Sequence, residues 1–203
     1  MLKLNMEIDG DGFEREADAY VSKVVEPGLV DAVNRIAELA VEALVEAMPR
    51  NLDRPNPFTL NAFKVKRATP RDLTAEVYAQ PMQARYLTYV VDGGVRRVGD
   101  YATTAAGPLV PGKDATLDAY GNLPRDFVSR MLQDTYVSSA HLTPGKPPAL
   151  VRHAPGRDVE ALALIYEETV QRPKLPFLPI VRDVVERIMP DAIVTSLGSG
   201  SGT

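Results

Sequence analysis

The sequence predicts an α+β fold. Three observations carry it: one long stretch with helical apolar spacing, two neighbouring segments whose apolar residues alternate, and no regular strand–helix–strand succession of the kind that builds a parallel sheet. The expected architecture is a long amphipathic helix packed on a mainly antiparallel sheet with hairpins, an extended loop insertion and a C-terminal helix.

In chain order, Leu2, Leu4, Met6 and Ile8 alternate with Lys3, Asn5, Glu7 and Asp9. A side-chain period of two sends one set to a core and the other to water, so 2–9 reads as a half-buried strand ended by Gly10 and Gly12. Residues 13–26 suit a helix until Pro27-Gly28, which is expected to break or redirect the chain. From there Leu29, Val33, Ile36, Ala40, Leu44 and Met48 step by three or four, widened by Val30, Ala37, Val41 and Val45. That is the stripe of a helix about 30 Å long, with Pro49 expected to stop it. The opposite face carries Asp31, Arg35, Glu38, Glu42 and Glu46. The glutamates repel mildly at i, i+4 spacing. They read as a solvated face or as an acidic ridge that meets basic groups of a neighbouring subunit.

After the connection DRPNPFT, Phe63 and Val65 alternate with Lys64 and Lys66, and Leu73, Ala75, Val77 and Ala79 alternate with Thr74, Glu76, Tyr78 and Gln80. The intervening Ala-Thr-Pro-Arg-Asp suits a turn. A β-hairpin over 61–80 follows, with Lys64 and Lys66 near Glu76 across the strands. Residues 81–91 read as a helix ended by Asp92-Gly93-Gly94. Residues 98–123 are rich in Gly, Pro, Ala and Thr without a sustained period, which predicts a long loop that is functional or ordered by a partner. Leu123, Phe127, Met131 and Leu132 mark a short helix near 124–134. Strands are expected near 135–141, 148–153 and 159–167. A last helix spans 177–189, with Pro176 and Pro179 tolerated in its opening turn. Together these make one domain over 1–197, and 198–203 reads as a flexible Gly/Ser tail.

Composition narrows the function. The chain has 203 residues, a formal charge of −4 and no cysteine. Without cysteine there is no disulfide scaffold, zinc–thiolate site, iron–sulfur site or thiol nucleophile. The acidic balance gives no global footprint for nucleic acid. No apolar run approaches the ~20 residues of a membrane span, and the alternating N-terminus has no signal-peptide core.

Several chemical patterns dissolve on inspection. Glu7, Asp9, Asp11, Gly12 and Asp18 fall on part of an EF-hand count, but the preceding segment reads as a strand rather than a helix. The acids suit a helix start instead. The Gly/Ser run from Gly198 lacks the lysine of a phosphate loop. His141 and His153 have no i, i+4 ligand partner, and Ser129, Ser138 and Ser139 have no glycine elbow around them. One cluster remains: Arg85, Arg96 and Arg97 with Tyr86, Tyr89 and Tyr101. Such a mix stacks on nucleic acid or forms a protein interface, where tyrosine and arginine are enriched. The net charge favours the protein interface. Tyr86, Arg96 and Arg97 are therefore expected at a subunit contact, with Glu38, Glu42 and Glu46 as the candidate partners on the next copy.

The long helix runs into MPRNLDRPNPFTLNAFKVKRATPRDLTAEVYA, followed by ARYLTYVVDGGVRR and then GPLVPGKDATLDAYGNLPR. In this order the segments resemble tail and neck proteins of tailed bacteriophages and prophages. The broader kinship is with tail-completion proteins such as the minor tail protein Z type of lambda-like phages. In that group a helix precedes a β-hairpin, a Tyr-to-Gly-Thr turn follows, and a helix opened by a Pro-Phe pair closes the domain. The counterparts here are Leu29 to Met48, Phe63 to Ala79, Tyr86 to Gly94, and Pro176 to Val185. Asp92-Gly93-Gly94 departs from the group's Glu-Gly-Thr form, and 98–123 is longer than in its smallest members.

The resemblance implies a structural virion protein: a ring subunit at the head–tail junction or upper tail, acting in tail completion, as a tail terminator or as another neck component. It implies no catalytic, cofactor or metal site. The implied partners are copies of the chain in a ring (a hexamer by family analogy), neighbouring neck and tail proteins, and DNA that passes through without specific binding; no membrane is involved. The implied location is the virion, after assembly in the host bacterial cytoplasm. The competing readings are an assembly adaptor or chaperone absent from the mature particle, and an enzyme with an unrecognised site.

Overall fold

The structure, a computed structural model, describes residues 10–199 and the side chains of 14–195. The strand expected at 2–9 and the end of the tail lie outside these residues. The fold is α+β, with a long helix, antiparallel strands and a C-terminal helix. The described residues group into two compact units. One comprises the described residues up to Val45, Phe63–Tyr78 and those from Phe177 on; the other comprises Glu46–Ala62 and Ala79–Pro176.

The first unit is built on one continuous helical run: α1 (Gly10–Tyr20), a π-helical segment (Val21–Val25) and α2 (Glu26–Asn51). The break expected at Pro27-Gly28 does not occur. A proline ring crowds the carbonyl four residues back, and here the preceding turn is widened, with the Glu26 N–H donating to the Val21 carbonyl five residues earlier. The wider turn makes room for the ring without ending the helix. Pro49 does not stop α2 either; it sits inside the last turns, and the Leu52 N–H still reaches the Met48 carbonyl at 2.8 Å. The predicted stripe is inward: Ile36, Ala37, Ala40 and Leu44 are buried, and Leu44 is fully covered.

Strands β1 (Phe63–Lys66) and β2 (Glu76–Ala79) form a two-stranded sheet, closed by an antiparallel bridge between Thr69 and Asp72. The expected cross-strand pair is present, Lys66 Nζ lying 2.7 Å from Glu76 Oε1. Leu73 was expected in the second strand but is exposed. Asp72 Oδ1 accepts the Thr74 N–H at 3.0 Å, and this local turn takes those residues out of the ladder. The last helix of the chain, which opens at Phe177, belongs to this unit, and Phe177 packs on Phe63 with ring centroids 5.3 Å apart. It continues through Pro190 to Ser199, ten residues past the expected end at 189. Its apolar row Val181, Val185, Met189, Ile193 runs on across the proline.

In the second unit, α3 (Pro57–Leu60) is capped by Asn56, whose Oδ1 accepts the Thr59 N–H at 2.8 Å. Next come α4 (Pro81–Val91), β3 (Gly94–Arg97), β4 (Leu109–Pro111), α5 (Phe127–Gln133), β5 (Val137–Ala140), β6 (Ala149–Arg152), β7 (Glu160–Ile165) and β8 (Glu168–Gln171). The Phe177–Ser199 helix of the first unit is α6. An antiparallel sheet of order β4-β7-β6-β5 carries the core, where Phe127 packs with Leu162 and Ala163, joined by Leu123, Met131 and Leu150. Leu132, grouped with Phe127 and Met131 from the sequence, points outward and is 83% exposed.

The stretch 98–123 is not the featureless loop expected. It supplies β4, which pairs with β7. The Gly112 N–H donates to the Leu162 carbonyl at 3.0 Å, and Asp114 Oδ2 accepts the Ala161 N–H at 2.8 Å. Asp118 Oδ1 then accepts the N–H groups of Tyr120 and Asn122, both at 2.9 Å. Order here comes from hydrogen bonds to the chain itself, which apolar periodicity does not register. Strands β3 and β8 were also unforeseen; each is four residues long, and they pair from Gly94↔Gln171 to Arg97↔Glu168.

Candidate interaction surface

The basic-aromatic residues of the sequence do come together in the second unit. Helix α4 presents Arg85 and Tyr86, while the turn after β3 carries Tyr101 back to them. The Tyr86 and Tyr101 rings stack with centroids 5.9 Å apart, and the Arg85 guanidinium lies 4.8 Å from the Tyr101 centroid. The Tyr86 hydroxyl lies 3.0 Å from Thr59 Oγ1, and partial burial raises its pKa above the ordinary value. Each cationic group has a local partner.

Arg96 donates from Nε to the Tyr101 carbonyl at 3.1 Å, and from one terminal nitrogen to the carbonyls of Tyr101 and Ala102, both at 2.6 Å. Ala102 is held at φ 54°, in the left-handed region that residues with a Cβ seldom adopt. Arg96 therefore acts as an internal clamp that sets the position of Tyr101. Asp100 fixes the same turn from the other side, accepting the Arg97 N–H at 2.6 Å. That backbone bond lowers its carboxyl pKa, assisted by Tyr89 and the positive charges of Arg96 and Arg97. Arg97 pairs through Nε with Glu168 Oε2 at 2.9 Å, its direct cross-strand neighbour. Of the expected contact residues, Arg96 is half-buried and donates within the fold from Nε and one terminal nitrogen, whereas the Arg97 side chain is largely open to solvent.

Glu38, Glu42 and Glu46 follow one another along α2. Glu38 pairs with Arg67 beside the hairpin, while Glu42 and Glu46 are exposed. The acidic ridge is thus partly engaged within the chain.

Next to the tyrosine stack lies a cleft of about 810 Å³, lined by Phe58, Met82, Tyr101, Leu123, Arg125 and Val128 among others. Phe58 and Met82 are 43% and 52% exposed. Sequence reasoning missed this cleft, because its wall joins Phe58 and Met82 to residues from the 101–104, 109–111 and 121–128 stretches, which only the fold brings together. Apolar side chains beside an arginine and a tyrosine suit contact with polypeptide. No acid–base–nucleophile set converges on it. His141 and His153 are both exposed, and His141 Nδ1 lies 3.2 Å from the Lys146 carbonyl. Among the described residues, no group of three or more His, Asp or Glu is placed to hold a metal ion, and no helix is long and apolar enough to cross a membrane.

In the first unit, a second concavity of about 340 Å³ opens between α2, β2 and α6, and its lining is wholly apolar. Compared with protein-family models, curated proteins and solved structures, the chain finds no match.

Proposed function

We propose that the chain is a structural protein of a tailed bacteriophage, a ring subunit at the head–tail junction or in the upper tail. One observation carries the reading: the order and packing of the first unit. A long amphipathic helix leads to a hairpin, and a closing helix that opens at Pro176-Phe177 returns to that hairpin through the Phe177–Phe63 contact. This is the arrangement that the resemblance to tail-completion proteins implies. The surface of the second unit supports it, since exposed Phe58 and Met82 beside a tyrosine–arginine stack have the composition of a protein contact. The acidic net charge suits a ring that lets DNA pass without holding it.

Mass spectrometry of purified particles, set against the lysate that produced them, tests the proposal. A virion subunit is present in particles at a fixed, low copy number. A protein abundant in the lysate and absent from particles would be an assembly factor, and the ring role would fall.

A further inference from the structure

Among the described residues, two that are not glycine have positive φ, Arg54 at 44° and Ala102 at 54°, and both bear on the cleft beside the tyrosine stack. Ala102 lines it directly. Arg54 stands outside it, on the connection between α2 and α3, and reaches its wall through the side chain. Residues with a Cβ seldom adopt this conformation, and Pro55 directly after Arg54 favours extended backbone instead. Strain of this kind persists only where surrounding contacts over-determine it, and it gathers at sites that hold a ligand or partner.

The contact that Arg54 makes is with Gly121. A Cβ on Gly121 would run into the guanidinium, so the side chain lies against the bare Cα of that glycine. Asp53 orients it from the neighbouring position, accepting from Nε at 3.0 Å and from one terminal nitrogen at 3.1 Å. Gly121 sits at φ 78° in a turn tied by Asp118: its N–H donates to the Asp118 carbonyl at 3.0 Å, and the Asp118 N–H donates to the Asn122 carbonyl at 2.9 Å. The Asn122 N–H chiefly lowers the Asp118 carboxyl pKa, and the nearby charge of Arg54 adds to it. Gly121 and Asn122 line the cleft. About half of the Arg54 side chain is open to water, so ion pairing adds little here. What it supplies is a flat group seated on a turn whose other residues, 118–120 and 122, are exposed. Arg96 plays the same part for Tyr101 and Ala102, whose carbonyls it holds. Two stretches of the lining are thus each fixed by one arginine from outside it.

We infer that the cleft is held in a preset shape by two arginine latches, Arg96 on the 101–102 turn and Arg54 on the 118–122 turn. A preset shape spares a partner the cost of ordering the walls when it binds. That use of the shape rests on the cleft's reading as a protein contact above, whereas the latches themselves are read in the free chain.

Amide hydrogen exchange of the full chain, followed by NMR, tests the latches. Glycine takes φ 44° without strain, so Arg54→Gly removes the guanidinium and leaves the backbone free to keep its course. The amides of Tyr120, Gly121 and Asn122 should then exchange severalfold faster, while those of 101–104 and of β6 and β7 keep the parent rates. Arg96→Ala should do the converse, loosening 101–104 and sparing 120–122. Arg54→Lys keeps the charge without the flat group and should behave like Arg54→Gly. Gly121→Ala should push the guanidinium aside and give the same loosening. Combined with Arg54→Gly it should add less than it does alone, because its clash partner is gone. Parent rates at 120–122 in Arg54→Gly or in Arg54→Lys, additive effects in the double variant, or loosening of both turns by one substitution would each overturn the latches. Faster exchange spread across β6 and β7 would do so too, since Arg54 would then be a general support of the fold. If the rates come out as expected and particles lack the protein, the virion reading fails and the latches stand.

Discussion

Asn34 closes both backbone hydrogen-bonding groups of Ala68: its Nδ2 donates to the Ala68 carbonyl at 3.2 Å, and its Oδ1 accepts the Ala68 N–H at 2.7 Å. An amide on the buried side of α2 imitates a strand neighbour for the residue that leaves β1. This is how a mostly apolar helix face fixes the end of the hairpin, a region where the backbone has no partner strand. Both residues are buried, so water does not replace the amide if it is lost.

Asn34→Ala should therefore cost more than its size suggests, because it strands one donor and one acceptor. The expected loss is about 2–6 kcal/mol in urea unfolding, from two unsatisfied groups at about 1–3 kcal/mol each. A loss below about 0.5 kcal/mol would show that the pair contributes nothing.

Leu44 is fully covered on the same helix. Leu44→Ala removes apolar contacts and leaves a cavity, with an expected cost of about 2–5 kcal/mol. Thermal unfolding followed by circular dichroism gives the value, and an unchanged midpoint would contradict the packing of α2.

Arg96 and Arg97 are adjacent in sequence and should behave oppositely. Arg96→Ala frees the carbonyls of Tyr101 and Ala102, so hydrogen exchange over 98–104 should accelerate as Ala102 leaves its left-handed conformation. Arg97→Ala removes an exposed pair with Glu168 and should shift stability by less than about 1 kcal/mol. Equal protection of the turn in both variants would remove the clamp.

Acidification should weaken the second unit through Asp100, Asp118 and Asp134. Backbone N–H donors hold each carboxyl below its ordinary value of 3.8. A depressed folded-state pKa gives stability that is complete above the unfolded value and lost as pH falls through the folded one. Stability should thus fall below about pH 4. Asp134 also holds Arg152 at 2.9 Å. Asp134→Asn should flatten that limb of the profile; an identical acid slope in the variant would contradict this assignment.

Gly107 lies at φ 122°, and a Cβ there would run into the Tyr166 carbonyl. Gly107→Ala should loosen β4 from β7 and make the adjoining segment the first site of limited proteolysis. Cleavage that begins elsewhere at the parent rate would show that the close approach is dispensable.

By itself the sequence determined what depends on period and side-chain type. It determined the α2 stripe, the Phe63–Ala79 hairpin with its Lys66–Glu76 pair, the strands of the β5–β7 region, and the α+β class that follows from them. The tertiary structure alone decided where local rules meet a competing contact. Pro27 and Pro49 are helix breakers by propensity, yet a π turn and the packed apolar stripe carry the chain past both. Strands β3 (Gly-Val-Arg-Arg) and β4 (Leu-Val-Pro) carry no apolar alternation, and their partners stand far away in sequence. The candidate surfaces divide in the same way. Composition brought the arginines and tyrosines together as a cluster, but charge and residue type do not say whether Arg96 faces a neighbour or its own backbone. A guanidinium takes the nearest well-aligned acceptors, and only the folded turn puts the Tyr101 and Ala102 carbonyls there.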